Sequence, residues 1–164
     1  MSTGRPDAPM AAMENSNRTL SEYVTAMVGG QLFGLPIQQV QDVFTPARVT
    51  RVPLAPTEVA GVLNLRGRIV TLIDLRHQLG LDHAAQQGPG MAIGVELRGE
   101  SYGLLIDSIG EVLQLDDDAR EQNPANLDPA LARMSDGIHR LDGQLLMVLK
   151  VDRLLDGAGH AHAA

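Results

Sequence analysis

The chain contains no cysteine and no tryptophan, and its only other aromatic residues are Tyr23, Phe33, Phe44 and Tyr102. The first absence excludes disulfide frameworks, thiolate metal centres and cysteine nucleophiles, and it is compatible with a reducing compartment. The scarcity of aromatics removes the stacking platforms that single-stranded nucleic acid needs. Lysine is nearly missing too: twelve of the thirteen cationic residues are Arg, with Lys150 the exception. Arginine suits planar, bidentate contacts at protein interfaces, and a compositional bias of the genome would give the same count. No apolar run approaches the roughly 20 residues of a bilayer span, and residues 1–18 lack an apolar signal-peptide core. The expectation is a soluble cytoplasmic protein with no direct membrane insertion.

What is present fits one domain, since 164 residues can bury a core without disulfides or metal. Charge is unevenly spread. Residues 1–42 carry two Arg against four acids, 43–81 five Arg against two acids, and 82–156 six basic against fourteen acidic groups, for a net −7. A nucleic-acid-binding barrel would need basic clusters to neutralise phosphates, and the acidic second half argues against one.

Residues 1–19 are rich in Pro, Ser, Asn, Ala and Met without periodicity, so a flexible N-terminal tail is expected. Residues 23–28 and 31–35 read as strands joined by the hairpin signal Gly29-Gly30. Pro36 then opens a short helix, with Ile37, Val40 and Val43 on one face. Residues 62–65 and 69–72 are apolar runs around an Arg66-Gly67 turn, and Leu75, Leu79 and Leu81 carry a short helix ending at Gly80. A loop at 82–90 divides the chain into halves of similar grammar. Strands at 91–97, 101–106 and 108–115 follow, then a turn or short helix at 116–122 and a loop with one helical turn at 123–134. A closing hairpin at 137–151 turns at Asp142-Gly143, a short helix covers 152–155, and residues 157–164 form a flexible C-terminal tail. About nine short strands punctuated by Gly and Pro argue a mainly β domain built as barrels, five strands to each half.

Catalytic readings fail individually. Ser108 has no nucleophile elbow around it, and Gly88-Pro89-Gly90 lacks the Lys-Ser or Lys-Thr of a phosphate loop. Of the histidines at 77, 83, 139, 160 and 162, only His160 and His162 are close, and they lie in a Gly/Ala tail. Asp116, Asp117 and Asp118 lack the spacing of a calcium loop. Asp74 and Asp107 each follow an apolar strand at equivalent places in the two halves, where each could brace a strand end, a role that needs no shared pocket. Neither a catalytic residue, a metal site nor a cofactor is expected.

Asn64-Leu65-Arg66-Gly67, followed by a β-branched run and Asp74-Leu75-Arg76, resembles the NLRG…DLR signature of the CheW family. Gln31-Leu32-Phe33-Gly34-Leu35 leading to Val40, with Asp42 for the commoner glutamate, is similar to the family's entry segment. Tyr102 to Asp107 with Ile109 and Val112, and Asp142 to Leu149, resemble its middle run and closing hairpin. Thr71 stands where many members have proline, which would soften the strand end. The resemblance covers about residues 20–155.

It implies two SH3-like five-stranded β-barrel subdomains, intertwined around a shared core within residues 20–156. It also implies a non-catalytic adaptor coupling the helical-hairpin tips of chemoreceptors to the regulatory domain of the histidine kinase CheA, in receptor arrays at the inner membrane face, with possible self-association in array rings. The receptor-facing groove would use Val40, Gly61, Arg66, Gly103, Ile109 and Val112, with the two glycines keeping its floor low. The kinase-facing surface would use Val49, Gly67, Gly90 and Met91. A same-fold coupling protein of a non-motility pathway is the alternative, and a detached kinase regulatory domain or a small enzyme stands as a third reading.

Overall fold

The computed structural model describes residues 19–81 and 90–156. The expected tails lie outside these residues, save that the carbonyl of Thr19 already accepts the Asp117 N–H at 2.7 Å. His160 and His162 lie outside them as well. The described residues form ten strands: β1 (Leu20–Val28), β2 (Gln31–Pro36), β3 (Val40–Phe44), β4 (Val59–Leu65), β5 (Arg68–Asp74), β6 (Met91–Leu97), β7 (Glu100–Ile106), β8 (Ser108–Asp116), β9 (Ser135–Leu141) and β10 (Gln144–Leu149). Three short helices accompany them, α1 (Leu75–Gln78), α2 (Pro129–Met134) and α3 (Val151–Leu154).

The strands make two five-stranded sheets, in the orders β8-β1-β2-β10-β9 and β3-β6-β7-β5-β4. Each sheet buries one face in a small cluster of its own, around Tyr23, Leu32, Leu146 and Val148 in the first and Leu63, Val70, Leu72 and Ala92 in the second. The opposite faces meet in one shared core that includes Phe33, Leu35, Ile73, Ile93 and Leu104, with Leu75, Leu79 and Leu154 from the helices. The fold is mainly β, two small barrels on a common core.

The sheets do not follow the two halves of the chain. The first takes β1 and β2 from one half and β8 to β10 from the other, because the chain crosses between sheets after Pro36 and again at Asp107. Of the loop expected at 82–90 as a divider, residues 82–89 lie outside the described residues; β5 before it and β6 after it belong to the same sheet.

The helix expected after Pro36 is a single 3-10 turn, Ile37–Gln39, without a side-chain cap. Val40 returns to extended backbone and pairs with Val95, and Val43 pairs with Ile93. A bulge between Val40 and Asp42 reverses the alternation, so Val40 faces the shared core while Phe44 faces the second barrel's own cluster. Residues three apart therefore share a face, and the bulge mimics the helical spacing. Thr71 also departs from expectation: it is fully buried in mid-strand, between Val62 and Tyr102, and softens no strand end.

One core polar group is expected to give the fold a pH dependence. His139 is buried in β9 with its ring centroid 5.9 Å from that of Tyr23, and its Nε2 has no hydrogen-bond partner. Tyr23 donates to Asp117 Oδ1 at 3.1 Å. Burial, then the nearby Arg120 charge, pushes the His139 pKa below 6.5, while Asp117 and Asp116 oppose that shift. The unfolded chain thus takes up a proton near pH 6.5 that the folded chain refuses, and stability falls as pH drops below about that value. Urea titrations between pH 7 and 5 should show this loss, and His139→Phe should flatten it; an unchanged slope in the variant would assign the loss elsewhere.

Candidate protein-interaction surface

Arg66 and Gly67 form the tip of the β4–β5 hairpin, with φ of +52° and +84°. Two consecutive positive φ angles are the signature of the type I′ turn that suits twisted strands, and glycine takes the second position without strain. Asn64 secures the turn by accepting the Gly67 N–H at 2.9 Å through Oδ1. Each polar residue of Asn64-Leu65-Arg66-Gly67 therefore has a local duty, and Arg66 is left pointing outward with 77% of its side chain exposed. Its Nη1 lies 3.6 Å from Asp42 Oδ2. Asp42 is on β3, one edge of the second sheet, and Arg66 joins β5 to β4, the other edge. The ion pair thus spans the open side of the barrel. An exposed pair of this kind contributes at most about 1 kcal/mol, so it orients the guanidinium more than it stabilises the fold.

The two glycines expected on the groove floor have a different position. Gly61, Leu72, Gly103, Gly94 and Asp42 form one continuous row across the second sheet, each the register partner of the next. Register partners point to the same face, and here that face carries the barrel's own cluster. A Cβ on Gly103 would come within 2.8 Å of Leu72 Cδ2 and 3.0 Å of Phe44 Cζ, and one on Gly94 would run into Asp42 Oδ1. At Gly61 it would meet the Thr50 carbonyl oxygen and Val49 Cγ1, both at 2.6 Å. The space beside Gly61 and Gly103 is filled by the chain itself. These glycines let the sheet curl tightly and let residues 49 and 50 lie against β4.

Of the other residues that the resemblance assigns to a receptor-facing groove, Val40 and Ile109 are half-buried against the shared core, on edge strands of different sheets, and Val112 is half-exposed opposite Val24. Of the set expected to face the kinase, Val49 is exposed and seated on Gly61. Met91 begins β6 at the Ile106 end of β7, with Gly90 just before it, whereas Gly67 sits near the Ser101 end, where Arg68 Nη1 donates to Ser101 Oγ at 3.3 Å. Five strand residues separate those ends, on the order of 17 Å. The four residues therefore do not converge on one pocket.

Asp74 and Asp107, expected to work separately, line the same cavity of about 310 Å³ with Thr45, Pro46, Arg76 and Gly90. Asp74 Oδ1 caps α1, accepting from Arg76 N at 3.0 Å and His77 N at 3.4 Å. Asp107, with 2% of its side chain exposed, accepts the Gly29 N–H at 2.9 Å and lies 3.6 Å from Arg76 Nη1. That nitrogen is buried without a hydrogen bond, since 3.6 Å gives attraction but no bond. Both carboxylates brace backbone, as the sequence suggested, and the Asp107 group ties the first sheet's hairpin at Gly29 to α1 behind the second sheet. Among the described residues, no cluster of three His, Asp or Glu could hold a metal, and no helix is long and apolar enough to cross a membrane.

Paired barrels around one core, an oriented arginine at a hairpin tip and the absence of a metal cluster among the described residues fit a protein-interaction scaffold. The family model of the CheW-like domain matches residues 22–159, and the chain belongs to that family. It is similar to "Chemotaxis protein CheW" of Helicobacter pylori, 26% identical with 91% of this chain and 90% of the relative covered. It is also similar to the protein of that name from Thermotoga maritima, at 24% identity with 82% and 87% covered. The crystal structure of the scaffolding protein TtCheW from Thermoanaerobacter tengcongensis superposes with a TM-score of 0.74 at 27% identity, covering 84% of this chain and 88% of that one.

Proposed function

We propose that this chain is a non-catalytic adaptor of bacterial chemotaxis signalling, coupling the cytoplasmic tips of chemoreceptors to the regulatory domain of the histidine kinase CheA within arrays at the inner membrane face. What supports the reading most is that the family match runs through both barrels and their shared core, with similar chemotaxis proteins covered nearly end to end. Val40, Ile109 and Val112 offer an apolar strip for a helix face. Arg66, held over the barrel's open side by Asp42, supplies a charged donor that fixes the orientation of that helix. Gly61 and Gly103 act on this surface only through the curl of the sheet. Val49, Gly67, Gly90 and Met91 mark the kinase-facing side.

The test is binding of the purified chain to the kinase regulatory domain, with and without a receptor-tip fragment. Arg66→Ala should weaken the receptor interaction about tenfold or more, the loss of a charge-assisted hydrogen bond. It should leave kinase binding and the melting temperature nearly unchanged. Arg98→Ala is the matched control, because Arg98-Gly99 forms the β6–β7 turn with nearly the same backbone, φ +53° and +79°. Equal losses from both variants, or a collapse of the melting temperature in Arg66→Ala, would remove Arg66 from the receptor site.

A further inference from the structure

Leu54 costs the fold in two ways and gains nothing from it. The Ala55 N–H bonds to the Val52 carbonyl at 3.3 Å, closing a turn with Pro53 first and Leu54 second. Leu54 has φ +64°. A proline-led turn with positive φ at the next residue is a type II arrangement, whose third position belongs to glycine or asparagine. Leucine there is strained by its Cβ. It is also fully exposed, at 104% relative accessibility, while the other exposed large apolar residues among those described lie between 36% and 55%. Neither local conformation nor packing within the chain accounts for it.

Its presentation is rigid. Thr50 and Val62 exchange backbone hydrogen bonds of 2.8 and 2.7 Å on one side of the turn, and Val59 N bonds to the Pro56 carbonyl at 2.9 Å on the other. Pro53 and Pro56 further restrict the loop. Arg48 and Arg51, both exposed, precede it in the same loop, within the one net-positive section of an acidic chain. Val49, on the proposed kinase-facing side, belongs to the same loop.

The geometry points to Leu54 as a preorganised anchor that inserts into a leucine-sized apolar pocket with a carboxylate-lined rim on the kinase regulatory domain. This rests on the adaptor reading above and extends its kinase face by one residue that complementary charge at Arg48 and Arg51 guides into place. A knob already held in its bound shape loses little freedom on docking, which is what the strained, proline-fixed turn supplies.

The experiment compares the full chain with Leu54→Gly, which removes the side chain and suits the backbone, in titrations against the purified kinase regulatory domain. Leu54→Gly should melt at the wild-type temperature or slightly above while binding weakens about tenfold or more, as expected for loss of one buried leucine. Arg51→Glu should slow association, most clearly at low salt. Wild-type binding with Leu54→Gly equally tight overturns the anchor and leaves the adaptor reading standing. No binding by the wild-type chain overturns both. Binding of the wild-type chain to anionic phospholipid vesicles that Leu54→Gly abolishes, with kinase binding unchanged, overturns it in favour of a lipid contact.

Discussion

Asp107→Ala is expected to destabilise the fold by about 3–5 kcal/mol, because it leaves a buried guanidinium without its counter-charge. Asp107 and Arg76 are 2% and 16% exposed at their side chains, so water reaching them through the cavity they line replaces the lost partner only in part. The same substitution strands the Gly29 N–H, whose acceptor is Asp107 Oδ2. For a domain of this size the loss corresponds to a fall of roughly 10–20 °C in melting temperature. Asp107→Asn should fall between, since its carbonyl can still accept from Gly29 while the charge is gone. If Asp107→Ala melts within two or three degrees of the wild type, the two sheets are joined by the apolar core alone. Arg76→Met then discriminates further: it removes the unsatisfied Nη1 but isolates the Asp107 charge, so a large loss there as well would place the energy in the pair.

How far the sequence reveals this arrangement depends on the range of the interactions involved. Hairpins at Arg66-Gly67, Arg98-Gly99 and Asp142-Gly143 are legible because a two-residue turn is decided by its own residues, and all three are present. The stretch after Pro36 misleads, since a bulge places Val40 and Val43 on one face as a helix would, and only pairing with β6 distinguishes them. Sheet membership is illegible for a similar reason. The chain changes sheets at a three-residue turn and at the single residue Asp107, neither of which looks unlike an ordinary connection.

The site divides in the same way. Arg66 at a hairpin tip is visible in the sequence, but Asp42 becomes its partner only because the second sheet curls until its two edges approach. Closeness of approach at Gly61 and Gly103 is legible in the sequence, but the neighbour that approaches is not. What approaches them is Val49, Thr50, Leu72 and Phe44 of the same chain. The strain at Leu54 could be suspected only by asking which residue a proline-led turn requires at its next position. The family resemblance, carried by motifs spread along the chain, supplied the number of barrels and their shared core, which local patterns do not contain.

Gly61→Ala provides the sharpest check on that reassignment, and its expected cost is about 2–4 kcal/mol. Two effects add: an L-residue held at φ +152° is strained, and its Cβ would lie 2.6 Å from the backbone oxygen of Thr50, which cannot rotate away as a side chain could. Relief requires residues 49 and 50 to move off β4, breaking the two hydrogen bonds between Thr50 and Val62. Val49 moves with them, so kinase binding should weaken along with stability, and receptor binding should suffer only as far as the barrel loses its curl. Val49→Ala in the same chain removes one of the two clashes, at Cγ1, and should restore part of the lost stability but not all of it, because the Thr50 oxygen remains. A double-mutant cycle by urea denaturation measures that coupling directly. Were Gly61→Ala as stable as the wild type and impaired only toward the receptor fragment, the glycine would belong to the groove floor after all, and the row of small residues across the sheet would have to be read as a docking surface instead of the device that curls the barrel.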